Sequence, residues 1–293
     1  MKKNILLVAS AIILMSCNNS ANETNNKGME EKKSISIIAT PSANDVMSSF
    51  SLTVAESKRL IAKGIAIHPL VKQKLESGMV VITRGTTNTY IAEELVGLNE
   101  ERGRFVTGNI ANKPLRVEGS RISDIIIKDG KQIDIPLTEA LDNLEKGDVV
   151  FKGGNLLNYE KKQAAVTIGA PDGGGTVGRI QPYTAEGPGH LIVPIGLEKE
   201  VYGDLLDYEK VMSMDVERIN GVPRIIAHKN AEIFTEIEAI KLFGNVNVLL
   251  FASGGISGSE GGKSFAVYGT QAEVDKVMNA ISTVQGESPF IKE

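Results

Sequence analysis

Four consecutive residues, Gly85, Thr86, Thr87 and Asn88, have the side-chain types and the position that bind an anion. They follow the apolar run MVVITR, which predicts a buried strand, and precede TYIAEELVG, which predicts a helix that ends at Gly97. Backbone amides at the start of a helix are unpaired and lie at the positive end of its dipole, so a phosphate or carboxylate binds well there. The alternative interpretation is structural, with one polar residue capping the helix and Gly85 turning the chain. Because a cap needs only one such residue and three are present, we expect a ligand site.

Two glycine-containing segments further along the chain could complete this site. Consecutive glycines let backbone amides approach a ligand closely, and a lysine beside them would counter its charge. For the second of the two segments, the alternative is a mobile surface loop. The first segment is GDVVFKGGN, with Lys152, Gly153 and Asn155, and the second is PDGGGTVG, with Gly173, Gly174, Gly175 and Thr176.

All three segments are similar to loops of a known superfamily. RGTTNTYIAEEL resembles the Gly-Thr-Thr-Thr or Gly-Ser-Thr loop and following helix in the superfamily of ribose-5-phosphate isomerase, glucosamine-6-phosphate deaminase, CoA transferases and DeoR-type sugar-sensing domains. GDVVFKGGN resembles the Asp-x-x-Phe-x-Gly strand and loop of those sensors, and PDGGGTVG resembles a further glycine loop. The resemblance covers residues 80–178 and implies that the first loop holds a phosphate group. The isomerases' Asp-Gly-Ala-Asp motif is absent, since Lys152-Gly153-Gly154-Asn155 stands in its place, so the resemblance implies binding rather than catalysis.

Few residues of the sequence are candidates for catalysis. Glu186 and Glu198 flank the predicted strand HLIVPIGL, and a carboxylate pair beside a sugar can serve as acid and base in an isomerisation or deamination. The alternative is that both, together with Lys199, are solvated surface charges. SGGISGSEGGKS lacks the glycine that a P-loop requires and precedes a predicted strand, so nucleotide hydrolysis is not expected.

Other catalytic and metal-binding motifs are missing from the sequence. No Gly-x-Ser-x-Gly motif of a serine hydrolase occurs. The three histidines, His68, His190 and His228, are far apart in the sequence and lack partners at metal-ligand spacing. We therefore expect neither a metal site nor a cofactor.

The elements that would position these loops indicate an α/β fold. Apolar runs uninterrupted by polar residues, such as VVF, AAVTIGA and HLIVPIGL, alternate with helical patterns and end in glycine. They predict a largely parallel, Rossmann-like sheet flanked by helices over residues 35–220, with the glycine-rich ends along one edge. Asp129-Gly130 predicts a hairpin within it. After the turn Asn220-Gly221, a helix, two strands and a helix predict an α+β subdomain over residues 221–293.

The N-terminus has the pattern of an export signal. Two lysines precede a mostly apolar stretch too short to span a membrane, and residues 1–16 therefore predict a signal peptide. The sequence Leu14-Met15-Ser16-Cys17 resembles the lipobox of bacterial lipoproteins, which implies lipidation of Cys17, the only cysteine. Residues 17–34 are polar and predict a flexible tether. We expect a lipid-anchored protein of the cell envelope that faces the periplasm, and Asn18 is compatible with the outer membrane.

The overall charge bears on the kind of partner. Removal of Lys2 and Lys3 with the signal leaves 30 basic and 36 acidic residues, a net charge of −6. An acidic chain without an arginine-rich run does not favour a nucleic-acid surface. The expected partners are a small anionic molecule and, through the lipid, a membrane.

Three functions remain open at this point. The first is a module that binds a phosphosugar or a nucleotide-like molecule without converting it. The second is an isomerase, deaminase or CoA-transferase-like enzyme that uses Glu186 or Glu198. An exported location argues against it, because phosphosugars and CoA esters are mainly cytoplasmic. The third is a protein-interaction module without a small ligand.

Overall fold

The computed structural model describes residues 38–108, 116–169 and 174–291. The predicted signal peptide, the tether with Cys17, and Gly173 lie outside the described residues. The helices are α1 (Val54–Ile67), α2 (Pro69–Glu76), α3 (Thr86–Val96), α4 (Leu137–Asp142), α5 (Gly175–Thr184), α6 (Leu205–Met212), α7 (Glu236–Phe243) and α8 (Gln271–Ser282). The strands are β1 (Val46–Leu52), β2 (Met79–Ile82), β3 (Ile125–Lys128), β4 (Lys131–Ile133), β5 (Val149–Phe151), β6 (Leu156–Asn158), β7 (Gln163–Ile168), β8 (His190–Pro194), β9 (Arg224–Ala227), β10 (Ala231–Phe234), β11 (Asn247–Gly254) and β12 (Gly262–Gly269).

The central sheet has six strands in the order β10-β8-β5-β2-β3-β4. The first four strands are parallel, and the last two form an antiparallel hairpin at one edge. The hairpin turns at Asp129 and Gly130, which both have the positive φ that a tight two-residue turn requires. An α/β fold with a mostly parallel sheet is thus confirmed.

Uninterrupted apolar sequence explains why the parallel strands occupy the core. Val80, Val81, Val149, Val150 and Phe151 have no exposed surface. Strands buried on both faces need no alternation of polar and apolar residues. All four parallel strands run in the same direction. The segments that follow β2, β5, β8 and β10 therefore all leave the sheet at its C-terminal end.

One predicted strand lies outside this sheet. Residues 164–168 of the run AAVTIGA lie in β7, which belongs to a separate antiparallel sheet of order β6-β7-β9, so the expected place of this run among the parallel strands was wrong. The physical reason is the short connection from β6, in which Lys162 has a φ of 51°. A tight turn can join only antiparallel neighbours, because parallel neighbours need a long crossover.

The segment after residue 220 shares its sheets with the rest of the fold. Strand β9 pairs with β7, β10 pairs with β8, and β12 pairs with β1. Within the described residues, the chain from Ile38 onward forms one compact unit. A separate C-terminal subdomain is therefore not confirmed. The expected turn at Asn220 and Gly221 is present, and both residues have positive φ.

Candidate functional site

A cavity of about 490 Å³ opens at the edge of the sheet where β2 and β5 end. It is lined by five segments of the chain that are distant in sequence and by two single residues, Lys199 and Pro223. The segments are 84–88, 107–108, 152–155, 166–169 and 175–177. Nine of the predicted site residues line it together: Gly85, Thr86, Thr87, Asn88, Lys152, Gly153, Asn155, Gly175 and Thr176. Gly174 is the N-cap of α5, next to the lining residue Gly175.

The start of α3 presents unpaired amides to this cavity. The N-cap is Gly85, which supplies no side-chain cap, and the first amide bonded within the helix is that of Thr89, 2.9 Å from the Gly85 carbonyl oxygen. The amides of Thr86, Thr87 and Asn88 therefore have no acceptor in the helix. The structural alternative, in which a threonine or the asparagine caps the helix, was wrong. Gly85 is also extended at a φ of 172°, so the backbone there does not require a glycine.

Two buried side chains at this helix start have different roles. Thr87 is 2 % exposed, and its Oγ1 has no hydrogen-bond partner among the described protein groups. Asn88 has no exposed surface, and its Nδ2 donates to the carbonyl oxygens of Thr83 at 2.7 Å and Phe151 at 3.3 Å. Asn88 thus ties the end of β2 to the end of β5 and holds the helix start against both strands.

Two partly buried lysines supply positive charge to the cavity. Lys152 follows β5, and burial together with the nearby Lys199 lowers the pKa of its amine to about 8. The Nζ of Lys199 donates to the carbonyl oxygen of Gly154 at 2.8 Å, and burial lowers its pKa as well. Among the residues that the structure describes, neither amine is within 4.0 Å of a carboxylate oxygen. Carboxylates act on the two amines only from beyond that distance, Asp124 on Lys152 and Glu198 and Glu236 on Lys199. Two ammonium groups without a contact ion pair favour binding of an anion beside them.

The loop after β5 is held close to β7. The backbone N–H of Asn155 donates a hydrogen bond to the carbonyl oxygen of Ala165 at 2.8 Å, and the side-chain Oδ1 of Asn155 accepts one from the backbone N–H of Thr167 at 3.0 Å. A Cβ added to Gly154 would lie 2.9 Å from Ile195 Cδ1 and 3.0 Å from the Ala165 carbonyl oxygen. This close packing brings the end of β7 into the cavity wall. It also explains why a glycine is needed at position 154.

The two predicted catalytic carboxylates do not form a pair. Glu186 is exposed before β8, whereas Glu198 follows it, so about 16 Å of strand at ~3.3 Å per residue separates them. Neither residue lines the cavity. The Glu198 side chain is 13 % exposed and lies 3.1 Å from the Nζ of Lys58, and Lys58 and Lys199 together hold its pKa below the ordinary value despite burial. The acid-base pair is therefore wrong, as is the interpretation of Glu198 and Lys199 as solvated surface charges, because both side chains are largely buried. Glu186 is exposed, as that interpretation predicted.

Several lining residues were not predicted from the sequence. Arg84 and Lys199 bring the cationic side chains of the lining to three. The other unpredicted lining residues are Gly154, Val177, Pro223 and those of segments 107–108 and 166–169. Gly169 follows the apolar residues AAVTI, and a glycine after an apolar run is the signal that could have indicated segment 166–169. The sequence carries no such signal for Lys199, because its position depends on how β8 packs beside β5.

The histidines form an arrangement that the sequence pattern did not indicate. The Nε2 atoms of His68 and His190 lie 3.0 and 2.6 Å from the two carboxylate oxygens of Glu232. These hydrogen bonds, the stronger from His190, lower the pKa of Glu232 to about 2. His228 contacts the loop after β5 that carries Lys152, with its Nε2 3.2 Å from the Gly153 carbonyl oxygen. Over the described ranges, no group of three or more His, Cys, Asp or Glu side chains has an arrangement suited to a metal ion.

Comparison with family models, with curated proteins and with solved structures gives no match for this chain. The superfamily resemblance of residues 80–178 therefore stays a prediction. In the part of the chain that the structure describes, no helix combines the length and apolar character needed to cross a membrane.

Proposed function

We propose that the cavity binds a small anionic ligand, of the phosphosugar or nucleotide-like class, through its strand-to-helix loops. The observation that carries this proposal is the charge of the lining. Arg84, Lys152 and Lys199 lie in it and none of the described Asp or Glu residues does, although the chain as a whole carries a net charge of −4. The unpaired amides at the start of α3 add donors on the same wall. In support, open α/β folds also hold phosphate at the carboxyl ends of parallel strands.

The same lining favours binding over acid-base catalysis. An isomerase or deaminase needs a carboxylate or a histidine beside its sugar, and the described lining contains neither. We therefore place the enzyme of that kind second. The protein-interaction module stands third, because it does not explain why the positive charge collects in a concave site.

A thermal-shift titration tests the proposal on the full-length chain in detergent. Inorganic phosphate, ribose 5-phosphate, glucosamine 6-phosphate and AMP are compared with unphosphorylated ribose. A ligand at 100 times its dissociation constant adds about 2.7 kcal/mol to the free energy of unfolding, which gives a readable shift. We expect stabilisation by at least one phosphorylated compound and none by ribose.

Charge-removing variants locate the binding. Lys152→Met and Lys199→Met should each weaken binding of the best phosphorylated ligand by roughly tenfold or more, since each removes a charge-assisted contact. The control is Lys276→Met, because Lys276 is an exposed residue of α8 outside the cavity. The proposed site would be refuted if all three variants bound the best phosphorylated ligand with equal affinity. It would also be refuted if ribose produced the same thermal shifts as the phosphorylated compounds.

We further propose that this binding module is lipid-anchored at Cys17 and faces the periplasm. The support is the sequence of residues 1–17 alone. Growth with a radioactive fatty acid should label the wild-type protein and leave Cys17→Ala unlabelled. Equal label in both proteins, or none in either, contradicts the anchor without affecting the cavity.

A further inference from the structure

The two lysines of the cavity are held differently. The Lys199 amine is fixed by its 2.8 Å hydrogen bond to the Gly154 carbonyl oxygen. The Lys152 amine has only the Gly153 carbonyl oxygen at 3.5 Å, the limit of a hydrogen bond, and no ion pair with a described carboxylate. Lys199 is thus suited to hold an anion as a fixed charge. Lys152 has an amine that is free to approach a ligand.

The surroundings of Lys152 favour its unprotonated form. Burial is the largest influence on its pKa, and the positive charge of Lys199 lowers it further, while Asp124 opposes the change. Another titratable group against this loop is His228, whose pKa burial and Lys152 lower to about 3, so it stays neutral. With a pKa of about 8, about one Lys152 amine in ten is unprotonated at pH 7. For a lysine with an ordinary pKa the fraction is below about one in a thousand. An unprotonated amine is a nucleophile.

Lys152 and the helix start share one cavity. Thr87 and Lys152 both line it, and its volume of about 490 Å³ accommodates a small phosphorylated molecule. A phosphate held by the amides of α3 would keep the rest of its molecule beside the lysine. Such positioning raises the effective concentration of the reacting group strongly.

We propose that Lys152 forms an imine with the carbonyl carbon of a phosphorylated aldehyde or ketone, such as the open-chain form of a phosphosugar. The unprotonated amine adds to the carbonyl carbon and gives a carbinolamine. Loss of water, which carries away the carbonyl oxygen and the two amine protons, leaves the C=N bond, so that one carbonyl and one amine give one imine and one water. No oxidant or reductant takes part. This inference rests on the proposed function, since it names the class of ligand for that site.

Reductive trapping tests the imine in the wild-type protein. Pyridoxal 5′-phosphate serves as the probe because it carries both an aldehyde and a phosphate, and sodium borohydride reduces its imine to a stable amine. Peptide mass spectrometry after short exposure at pH 7 should find Lys152 modified at least about tenfold faster than exposed lysines such as Lys276, because its unprotonated fraction is about a hundred times larger. Inorganic phosphate should slow this modification by competing for the helix start. Pyridoxal, which lacks the phosphate, should modify Lys152 more slowly.

Two variants assign the reaction to one amine. Lys152→Arg keeps a positive charge and should abolish the fast modification, whereas Lys199→Arg should leave Lys152 as the main modified residue. Modification spread evenly over the lysines, or fast modification that persists in Lys152→Arg, overturns the imine. If phosphate binds but Lys152 is not preferred, the inference fails and the binding site stands. If Lys152 reacts fast with both aldehydes and phosphate has no effect, the reactive amine stands and the anion site fails.

Discussion

Thr87 shows how a single residue can lower stability while serving a site. Its hydroxyl is buried without a partner among the described protein groups, and such a group costs about 1–3 kcal/mol of folding free energy. Threonine in a helix has two accessible χ1 rotamers, so the hydroxyl can turn toward a ligand in the cavity that the residue lines. A cost that folding alone does not explain is what a binding residue is expected to show.

This reasoning predicts opposite effects for Thr87→Val. The variant keeps the side-chain shape and removes the hydroxyl, so the free energy of unfolding of the ligand-free protein should rise by about 1 kcal/mol. Affinity for the best phosphorylated ligand should fall by a similar amount of free energy. Denaturant unfolding and isothermal titration calorimetry measure the two changes. Thr87→Ser retains the hydroxyl and should keep the affinity, and a Val variant that binds as tightly as wild type would show that the hydroxyl is not a ligand contact.

Among the elements, the loop from β5 to β6 decides the shape of the cavity. It carries Lys152, and it packs against β7 through Gly154. Its Gly154 carbonyl oxygen accepts a hydrogen bond from the Lys199 amine. Side chains larger than hydrogen have no room at Gly154, since Ile195 and a backbone oxygen of β7 lie within 3.0 Å of the added carbon. The Lys-Gly-Gly-Asn sequence of residues 152–155 therefore also has a packing role.

We predict that Gly154→Ala lowers the free energy of unfolding by about 1–3 kcal/mol, the usual cost of overpacking. Because the loop must shift away from β7, the affinity for phosphorylated ligands should also fall. Gly178→Ala is the matched control, since the exposed Gly178 lies in α5 with no atom near the added carbon. The control should leave stability unchanged or raise it by up to about 1 kcal/mol. Thermal and denaturant unfolding of both variants measure the difference, and equal stability would refute the packing role.

For the whole molecule, a buried group of charges joins α1, the end of β8 and the start of α7. Lys58 of α1 pairs with Glu198, and the carboxylate of Glu236 accepts the Leu197 amide at 3.0 and 3.3 Å without any exposed surface. Burial, and then the charge of Glu198, raises the pKa of Glu236 to about 7. The folded protein thus holds this proton more tightly than the unfolded chain does.

The stability of the protein should therefore depend on pH through Glu236. A carboxyl whose folded pKa is raised gives its full stabilisation below the ordinary pKa of 4.5 and loses it as the pH rises through about 7. Glu236→Gln should match wild type near pH 4 and exceed it at pH 8 by up to about 3 kcal/mol. Denaturant unfolding at a series of pH values measures this.

In the same helix, Glu238→Gln should instead lower stability at pH 8, because hydrogen bonds from Thr235 and Lys162 hold the pKa of Glu238 below its ordinary value despite burial. Parallel stability curves for wild type and Glu236→Gln would contradict the role of Glu236.

The sequence alone determined the local features of this protein. The strand-to-helix junction at residues 82–88, the lysine after β5 and the turn at Asp129-Gly130 all depend on short-range backbone preferences, which the nearest residues contain. Tertiary structure decided the rest. It brought Lys199 and the end of β7 into the cavity wall, and it placed two histidines within hydrogen-bond distance of Glu232. It also paired β9, β10 and β12 with strands from earlier in the chain. These are pairings between distant residues, and which of them form depends on how the entire chain buries its apolar surface, which no single stretch of residues specifies.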